Sequence, residues 1–200
     1  MSRNIFITGA SGFIGQHVLQ EFSGKDFFIY ALSRKSSRSE IKNVRFLKGD
    51  LLTIEEFSEQ LSSTDYFIHI AGEKKNEGKM DEINVKGLAK ILFITSAYPK
   101  IRFLLVSSTG IYGIKSHPET ILTENTIPYP TNMYERSKYE AEKILIEEAS
   151  KTGIRYSIIR PSNIFGENDN GLKLLNLLKI IKRGLFFFIN PNAVIASDCS

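Results

Sequence analysis

The feature that most constrains this chain is a glycine-studded turn set between an apolar run and a helical pattern. Arg3–Thr8 (RNIFIT) reads as a buried strand. Over Gly12–Phe22, the apolar residues Phe13, Ile14, Val18, Leu19 and Phe22 recur at helical spacing. Between the two stands Thr8-Gly9-Ala10-Ser11-Gly12-Phe13-Ile14-Gly15. Gly9 permits a tight turn, Gly12 lets the backbone approach a ligand, and Gly15 lets the helix pack on the strand. A helix N-terminus offers free N–H groups and partial positive charge, which suits a pyrophosphate. The spacing is G-x-x-G-x-x-G, not the commoner G-x-G-x-x-G. A glycine turn without a ligand is the alternative, and the strand before and helix after argue against it.

The same alternation continues along the chain. Strands are predicted at Phe27–Leu32, Val44–Leu47, Asp65–Ile70, Arg102–Val106 and Ile154–Ile159, with a further candidate at Leu185–Ile189. Helices are predicted at Thr53–Leu61, Asp81–Ala97, Asn132–Ser150 and Gly171–Arg183. Thr53 with Glu56 forms a capping-box pattern, and Gly153 ends the Asn132 helix. Apolar strands alternating with amphipathic helices specify an α/β fold, a doubly wound, Rossmann-like parallel sheet. Gly110–Thr131, with Pro118, Pro128 and Pro130, breaks the rhythm and reads as a functional loop.

Composition narrows the function classes. The single cysteine, Cys199, excludes an internal disulfide, and His17, His69 and His117 stand too far apart for metal-ligand spacing. The net charge of +4 is spread among acids, so no basic face points to nucleic acid. No uncharged apolar run reaches the roughly 18 residues of a membrane span. Gly9, Gly12 and Gly15 break the N-terminal apolar stretch, unlike a signal peptide. A cytoplasmic chain with no membrane or nucleic-acid partner is expected.

Other residues bear chemistry. At the end of the second strand, Ser33-Arg34-Lys35 lacks the acid that binds ribose hydroxyls in NAD sites. Arg34 suits a 2′-phosphate instead, which favours NADP over NAD. Asp50, after Gly49, offers a carboxylate to an adenine amino group, although Gly-Asp is also ordinary turn chemistry. Tyr134 and Lys138 lie four apart on one helix face. There an ammonium would lower the phenol pKa and fit the tyrosine for proton transfer. Tyr139 and Lys143 share that spacing, but they sit farther along the helix among charged residues and read as structural. Ser108, at the edge of the fifth strand, is placed to hold the same substrate oxygen as Tyr134.

Taken together, these segments resemble the extended short-chain dehydrogenase/reductase family, also called the NAD-dependent epimerase/dehydratase family. The resemblance rests on Thr8–Gly15, Gly49-Asp50, Ile70-Ala71-Gly72, Asn84-Val85-x-Gly87 and Ser107-Ser108-x-x-x-Tyr112-Gly113. It rests also on Tyr134-x-x-Ser137-Lys138-x-x-x-Glu142 and Arg160-Pro161-x-Asn163-x-x-Gly166. It implies that Gly9, Ser11, Gly12, Phe13, Ile14 and Gly15 hold the pyrophosphate, that Asp50 and Leu51 touch adenine, and that Ala71 and Gly72 line the ribose path. Ser108, Tyr134 and Lys138 would be the catalytic set, with Pro161 and Ser162 at the nicotinamide and Asn163 on a nucleotide-sugar substrate.

The resemblance divides the chain into a dinucleotide-binding domain at 1–165 and the start of an incomplete, C-terminally truncated substrate lobe at 166–200. Thr109 and Gly110 follow Ser108 where the family's 4,6-dehydratases carry Asp-Glu, so epimerase and keto-reductase remain open. A homodimer through the Asp81–Ala97 and Asn132–Ser150 helices is a further expectation. A non-catalytic dinucleotide-binding module, or an inactive fragment, is the alternative reading.

Overall fold

The computed structural model describes residues 2–34, 41–113, 121–166 and 173–185. Lys35, Arg38, His117, Cys199 and most of the predicted Leu185–Ile189 strand lie outside the described residues. Six strands form one parallel sheet: β1 (Arg3–Thr8), β2 (Phe27–Ser33), β3 (Val44–Lys48), β4 (Tyr66–His69), β5 (Arg102–Val106) and β6 (Arg155–Ile159). Their order is β3-β2-β1-β4-β5-β6. The chain therefore winds outward from β1 in one direction, then from β4 in the other, and the two halves part between β1 and β4. In sheets of this type the crevice beyond the strand C-termini at that point is where ligands bind.

The central strands are largely apolar because the middle of the sheet is covered on both faces. Alternate residues feed two cores. On one face Phe6, Phe67 and Phe103 stack across β1, β4 and β5, with ring centroids 5.2 and 5.0 Å apart. They pack with Leu88, Ile91 and Leu92 of α4 (Gly87–Thr95) and Leu145 of α5 (Met133–Thr152). On the other face Ile5, Ile7, Ile29, Ala31 and Ile68 pack with Leu19 of α1 (Phe13–Glu21).

Two predicted helices and one predicted loop differ from the sequence expectation. The predicted Thr53–Leu61 helix starts earlier, as a 3₁₀ turn over Leu51–Phe57 that runs into α2 (Ser58–Ser63). Its cap is Asp50, whose carboxylate accepts the Leu52 N–H at 3.1 Å while Thr53 Oγ1 accepts the Asp50 N–H. The aspartate outcompetes Thr53 because its charged oxygen is the stronger acceptor for exposed N–H groups. The predicted Asp81–Ala97 helix begins at α3 (Glu77–Met80), passes through a π-helical turn at Asp81–Lys86, and continues as α4 to Thr95. Such widened turns collect at functional sites, and this one turns Asn84 into the molecule, where it is 3% exposed. The Gly110–Thr131 loop opens with a 3₁₀ turn at Thr109–Tyr112.

The α5 boundaries follow local chemistry. Asn132 Oδ1 accepts the Glu135 N–H at 2.9 Å, and Glu135 Oε2 accepts the Thr131 and Asn132 N–H groups in return. Gly153 closes the helix at φ +73°. α6 (Lys173–Lys182) follows the Pro161–Gly166 segment.

Candidate active site

The C-terminal ends of β1, β4 and β5 bring the predicted motifs together. After β1 the chain turns at Gly9 with φ +75°. A Cβ there would stand 2.6 Å from the Ala71 nitrogen, so the glycine turn and the Ala71-Gly72 segment after β4 are in contact. At Gly15 a Cβ would stand 2.3 Å from the Gly9 carbonyl oxygen. Gly15 thus lets α1 start directly against the turn. At Gly12 a Cβ would meet, among the described residues beyond its chain neighbours, the Gly9 oxygen at 3.2 Å and nothing else within 4 Å. The backbone there is open on the outer side, where the first N–H groups of α1, including those of Phe13 and Ile14, have no helical acceptor. Ser11 is exposed beside them, and its carbonyl accepts from Gln16 Nε2.

Around this turn lie the predicted nucleotide contacts. Arg34 is exposed at the end of β2. Asp50 caps the turn after β3, and Leu51 is 8% exposed among the core residues. Glu73, a residue the sequence reading passed over, curls its Oε1 onto the N–H groups of Lys74, Lys75 and Asn76 at 3.0, 2.8 and 3.1 Å. Those bonds hold its carboxyl below the usual range, and the Arg34 charge adds to the effect.

The proposed reacting groups come from β5 and α5. Ser108 Oγ accepts the Gly110 N–H at 3.0 Å and so caps the 3₁₀ turn. Lys138 is buried, and its Nζ donates to the Val106 carbonyl at 2.6 Å. Burial lowers its pKa to about 8, against the opposing charge of Glu142. Tyr134 is half-buried, and burial pushes its phenol above the usual value. This corrects the sequence expectation that Lys138 lowers the Tyr134 pKa. Desolvation is the cause acting on the phenol, and the ammonium is engaged with a backbone carbonyl instead. Tyr139 lies under the Lys143 ammonium, 5.1 Å from the ring centre, and Lys143 pairs with Glu140.

Between these two groups stands Asn84. Its Oδ1 accepts the Glu73 N–H at 2.7 Å, and its Nδ2 donates to the Glu73 carbonyl and to Ser137 Oγ, both at 2.9 Å. Ser137 in turn donates to the Tyr134 carbonyl at 2.8 Å. A Cβ at Gly72 would come 3.2 Å from Asn84 Oδ1 and 3.9 Å from Lys138 Nζ. The segment after β4, the π-helical turn and the start of α5 therefore meet at one point. Asn84 was visible in the sequence as part of a motif, but only the widened turn shows that it faces inward.

Two further networks escaped the sequence reading. At the ends of β1 and β4, Thr8 Oγ1 lies 2.8 Å from His69 Nδ1 and accepts the Ala71 N–H at 3.4 Å. Beyond β6, Arg160 bonds Glu142, which is 1% exposed, through Nε at 3.0 and 3.2 Å and Nη2 at 2.7 Å. Its neighbour Pro161 offers a carbonyl that accepts the Thr109 N–H at 3.0 Å. Asn163 is exposed on the same segment. The Ser107 hydroxyl is buried without a hydrogen-bond partner among the described residues. No group of three His, Cys, Asp or Glu residues fit to hold a metal occurs among them either.

The profile of the NAD dependent epimerase/dehydratase family matches residues 5–185. The chain is 31% identical over 197 residues to N-acetyl-alpha-D-glucosaminyl-diphospho-ditrans,octacis-undecaprenol 4-epimerase of Escherichia coli O157:H7, covering 94% of this chain and 57% of that protein. It is 29% identical over 177 residues to 2-alkyl-3-oxoalkanoate reductase of Shewanella oneidensis, covering 82% and 45%. The crystal structure of dTDP-glucose 4,6-dehydratase from Bacillus anthracis in complex with NAD shares the fold, with a TM-score of 0.78 at 23% identity over 91% of this chain and 62% of that one. The chain spans about half the length of the curated relatives it matches.

Proposed function

The chain belongs to the NAD dependent epimerase/dehydratase family, and on that premise we propose that it is a nicotinamide-dinucleotide oxidoreductase acting on a nucleotide-activated sugar. One observation carries the reading. The glycine turn touches Ala71, and the adjoining Gly72 comes within reach of Lys138, so a dinucleotide cradle and a proton-transfer set share one crevice. Two local features fit a dinucleotide: the open backbone at Gly12 and the unpartnered buried hydroxyl of Ser107.

In this reading Gly9, Ser11, Gly12, Phe13, Ile14 and Gly15 hold the pyrophosphate by backbone N–H groups and the α1 dipole. Asp50 and Leu51 face the adenine, Ala71 and Gly72 line the ribose path, and Pro161 borders the nicotinamide. Arg34 offers a bidentate guanidinium to a 2′-phosphate, which favours NADP. When bound, the nicotinamide supplies the acceptor or donor for a hydride.

The chain's own groups manage the proton. Tyr134 accepts the proton of a sugar hydroxyl as the carbon beneath it gives up its hydride, leaving a ketone. Ser108 Oγ holds that oxygen in line. Lys138, charged below about pH 8, orients the ribose from its place beside Gly72. Asn163 contacts the substrate. A keto-reductase runs these steps in reverse, and an epimerase runs them forward and then back on the other face. Residues 1–165 form the dinucleotide-binding domain, and 166–200 begin the substrate lobe. A diphosphate-linked hexose fits the sugar substrates of the Escherichia coli 4-epimerase and the Bacillus anthracis 4,6-dehydratase as those enzymes are named.

We further propose pairing into a homodimer through α4 and α5, where Phe93 is 78% and Ile146 45% exposed. Light scattering on the chain at micromolar concentration tests this. A cytoplasmic location fits the absence of any described helix long and apolar enough to cross a membrane.

A thermal-shift titration with NADP and NAD tests the cofactor reading, since a ligand that binds only the folded state raises the melting temperature. A shift with either dinucleotide, followed by net nicotinamide reduction or by epimer formation from UDP-glucose or UDP-N-acetylglucosamine, is the expected result. A cooperative melt that neither dinucleotide moves overturns the reading. Dinucleotide binding without turnover, unchanged by Tyr134→Phe, would turn it toward a binding module.

A further inference from the structure

The groups assigned to the reaction sit on two separate pieces of backbone. Ser108 lies after β5 on the turn at Thr109–Tyr112, whereas Tyr134 and Lys138 lie on α5. Proton transfer needs these oxygens and nitrogens in register to a fraction of an ångström. Lys138 supplies one tie, to the carbonyl of Val106. That bond anchors the helix to the strand but does not itself reach the turn beyond Ser108, whose Ile111 and Tyr112 are buried.

Arg160 closes the gap. Its fork grips the Glu142 carboxylate with Nε and Nη2, at 2.7–3.2 Å. Glu142 lies one helical turn beyond Lys138 and two beyond Tyr134, on the same stripe of α5. The remaining arm reaches the other way. Nη1 donates to Tyr112 Oη at 2.6 Å and to the Glu124 carbonyl at 3.4 Å. The guanidinium carbon lies 5.4 Å from the centre of the Tyr112 ring. Tyr112 Oη then donates to the Thr123 carbonyl at 2.9 Å. One residue on, the Pro161 carbonyl takes both the N–H and the hydroxyl of Thr109, at 3.0 and 3.3 Å.

One side chain thus touches the catalytic helix, the turn bearing Ser108 and the Glu124 carbonyl. The pattern is costly to maintain for stability alone. A carboxylate that is 1% exposed must be fully paired, and a buried ion pair seldom outdoes an apolar packing of the same volume. Its value lies in orientation, because the guanidinium plane fixes the angle between its two partners.

We propose that Arg160 is a positioning residue that holds the Ser108 turn in register with Tyr134 and Lys138, acting through Glu142 on one side and Tyr112 on the other. The inference rests on the reading of Ser108, Tyr134 and Lys138 as the reacting set. It adds a geometric role for Arg160, Glu142 and Tyr112.

The test compares the wild-type chain with Tyr112→Phe, which removes one oxygen, and Arg160→Lys, which keeps the charge and loses the fork. Hydrogen exchange resolved by peptide reads residues 108–112 and 121–131. Turnover of UDP-glucose as the probe, read as net nicotinamide reduction or as epimer formed, gives kcat and KM, and a titration gives dinucleotide affinity. In Tyr112→Phe the expected result is exchange faster by about tenfold in those two stretches, with β1 and β4 unchanged. The accompanying change is a kcat lower by about tenfold at constant KM and constant dinucleotide affinity. Arg160→Lys should show the same pattern more strongly.

Exchange in Tyr112→Phe equal to wild type overturns the inference, whether or not UDP-glucose is turned over. Faster exchange with kcat and KM both unchanged overturns it too, since the network would then be a structural tie alone. Should Arg160→Lys fail to fold, Tyr112→Phe carries the test, because it leaves the Glu142 pair intact. A wild-type chain that binds no dinucleotide sinks the functional reading separately, and the exchange comparison still stands.

Discussion

Lys138 Nζ donates a 2.6 Å hydrogen bond to the carbonyl of Val106, so the helix carrying Tyr134 is pinned to the strand that leads to Ser108. The bond is made by a cation that is 5% exposed. A buried ammonium is a stability cost, and its pKa of about 8 records that cost.

The sign of the pH dependence follows. Below about pH 8 Lys138 is charged in both folded and unfolded chains, and the burial penalty is fully present. Between about 8 and the ordinary lysine value of 10.5 the unfolded chain holds a proton that the folded chain has released. Stability therefore rises with pH across that window, by at most about 1.4 kcal/mol per pH unit. Lys138→Met should abolish this rise in urea-unfolding curves and lower turnover by roughly 100-fold or more. A variant that keeps the wild-type slope would show that another group titrates.

His69 should produce a slope of the same sign in acid. It lies buried with Nδ1 against Thr8, and its pKa is lowered to about 3 by burial first and the Lys138 charge second. Thr8 Oγ1 accepts the Ala71 N–H and shares a second hydrogen bond with the His69 ring at Nδ1. Below the ordinary value of 6.5 the unfolded chain takes a proton that the folded chain refuses. Stability should then fall from about pH 6.5 to about 5, before the carboxylates begin to titrate, at up to about 1.4 kcal/mol per pH unit. His69→Asn retains an acceptor for Thr8 without a titrating group. Its unfolding free energy should be flat over that interval, as denaturant titrations at several pH values will reveal.

What the sequence made legible was set by local rules. The strand–turn–helix at Thr8–Gly15 and the caps of α5 are written in neighbouring residues, and they stand where the sequence reading put them. The parallel order followed from apolar strands separated by helices. The π-helical turn at Asp81–Lys86 could not be read this way. One extra residue in a turn leaves the apolar pattern nearly unchanged while rotating Asn84 inward. The same holds for Arg160 and Glu142, which lie 18 residues apart and meet only once β6 pairs with β5. Charges that pair across the fold look, in sequence, like charges in solvent. The Tyr134 pKa failed for a related reason, because spacing on a helix reports proximity but not desolvation.

Arg34 is the residue on which the proposed NADP preference rests. A charge-assisted hydrogen bond from guanidinium to phosphate is worth about 1.5–3 kcal/mol. Arg34→Ser should therefore weaken NADP binding by about ten- to a hundredfold and leave NAD nearly unchanged. Paired fluorescence titrations of the reduced dinucleotides measure both. Equal losses for the two would assign Arg34 to the fold through its proximity to Glu73, whose carboxyl its charge already helps to lower.

The three glycines of the turn should separate folding from binding. A methyl at Gly15 would sit 2.3 Å from the Gly9 oxygen and 2.6 Å from Ala10 Cα, both backbone atoms that cannot swing aside. Gly15→Ala must push α1 off the turn, at a cost of about 1–3 kcal/mol. Gly12→Ala meets only the Gly9 oxygen, at 3.2 Å, and otherwise enters open space. A helix cap also tolerates the exchange of Gly for another residue at a cost on the order of 1 kcal/mol. Its methyl nevertheless occupies the place where a pyrophosphate would approach the N–H groups of α1. Gly12→Ala should thus keep most of its stability and lose dinucleotide binding, whereas Gly15→Ala should lose stability first. Melting curves with and without dinucleotide separate the two. If Gly12→Ala keeps the full ligand-induced shift, the pyrophosphate does not lie over the start of α1, and the cradle must be sought elsewhere along the switch point between β1 and β4.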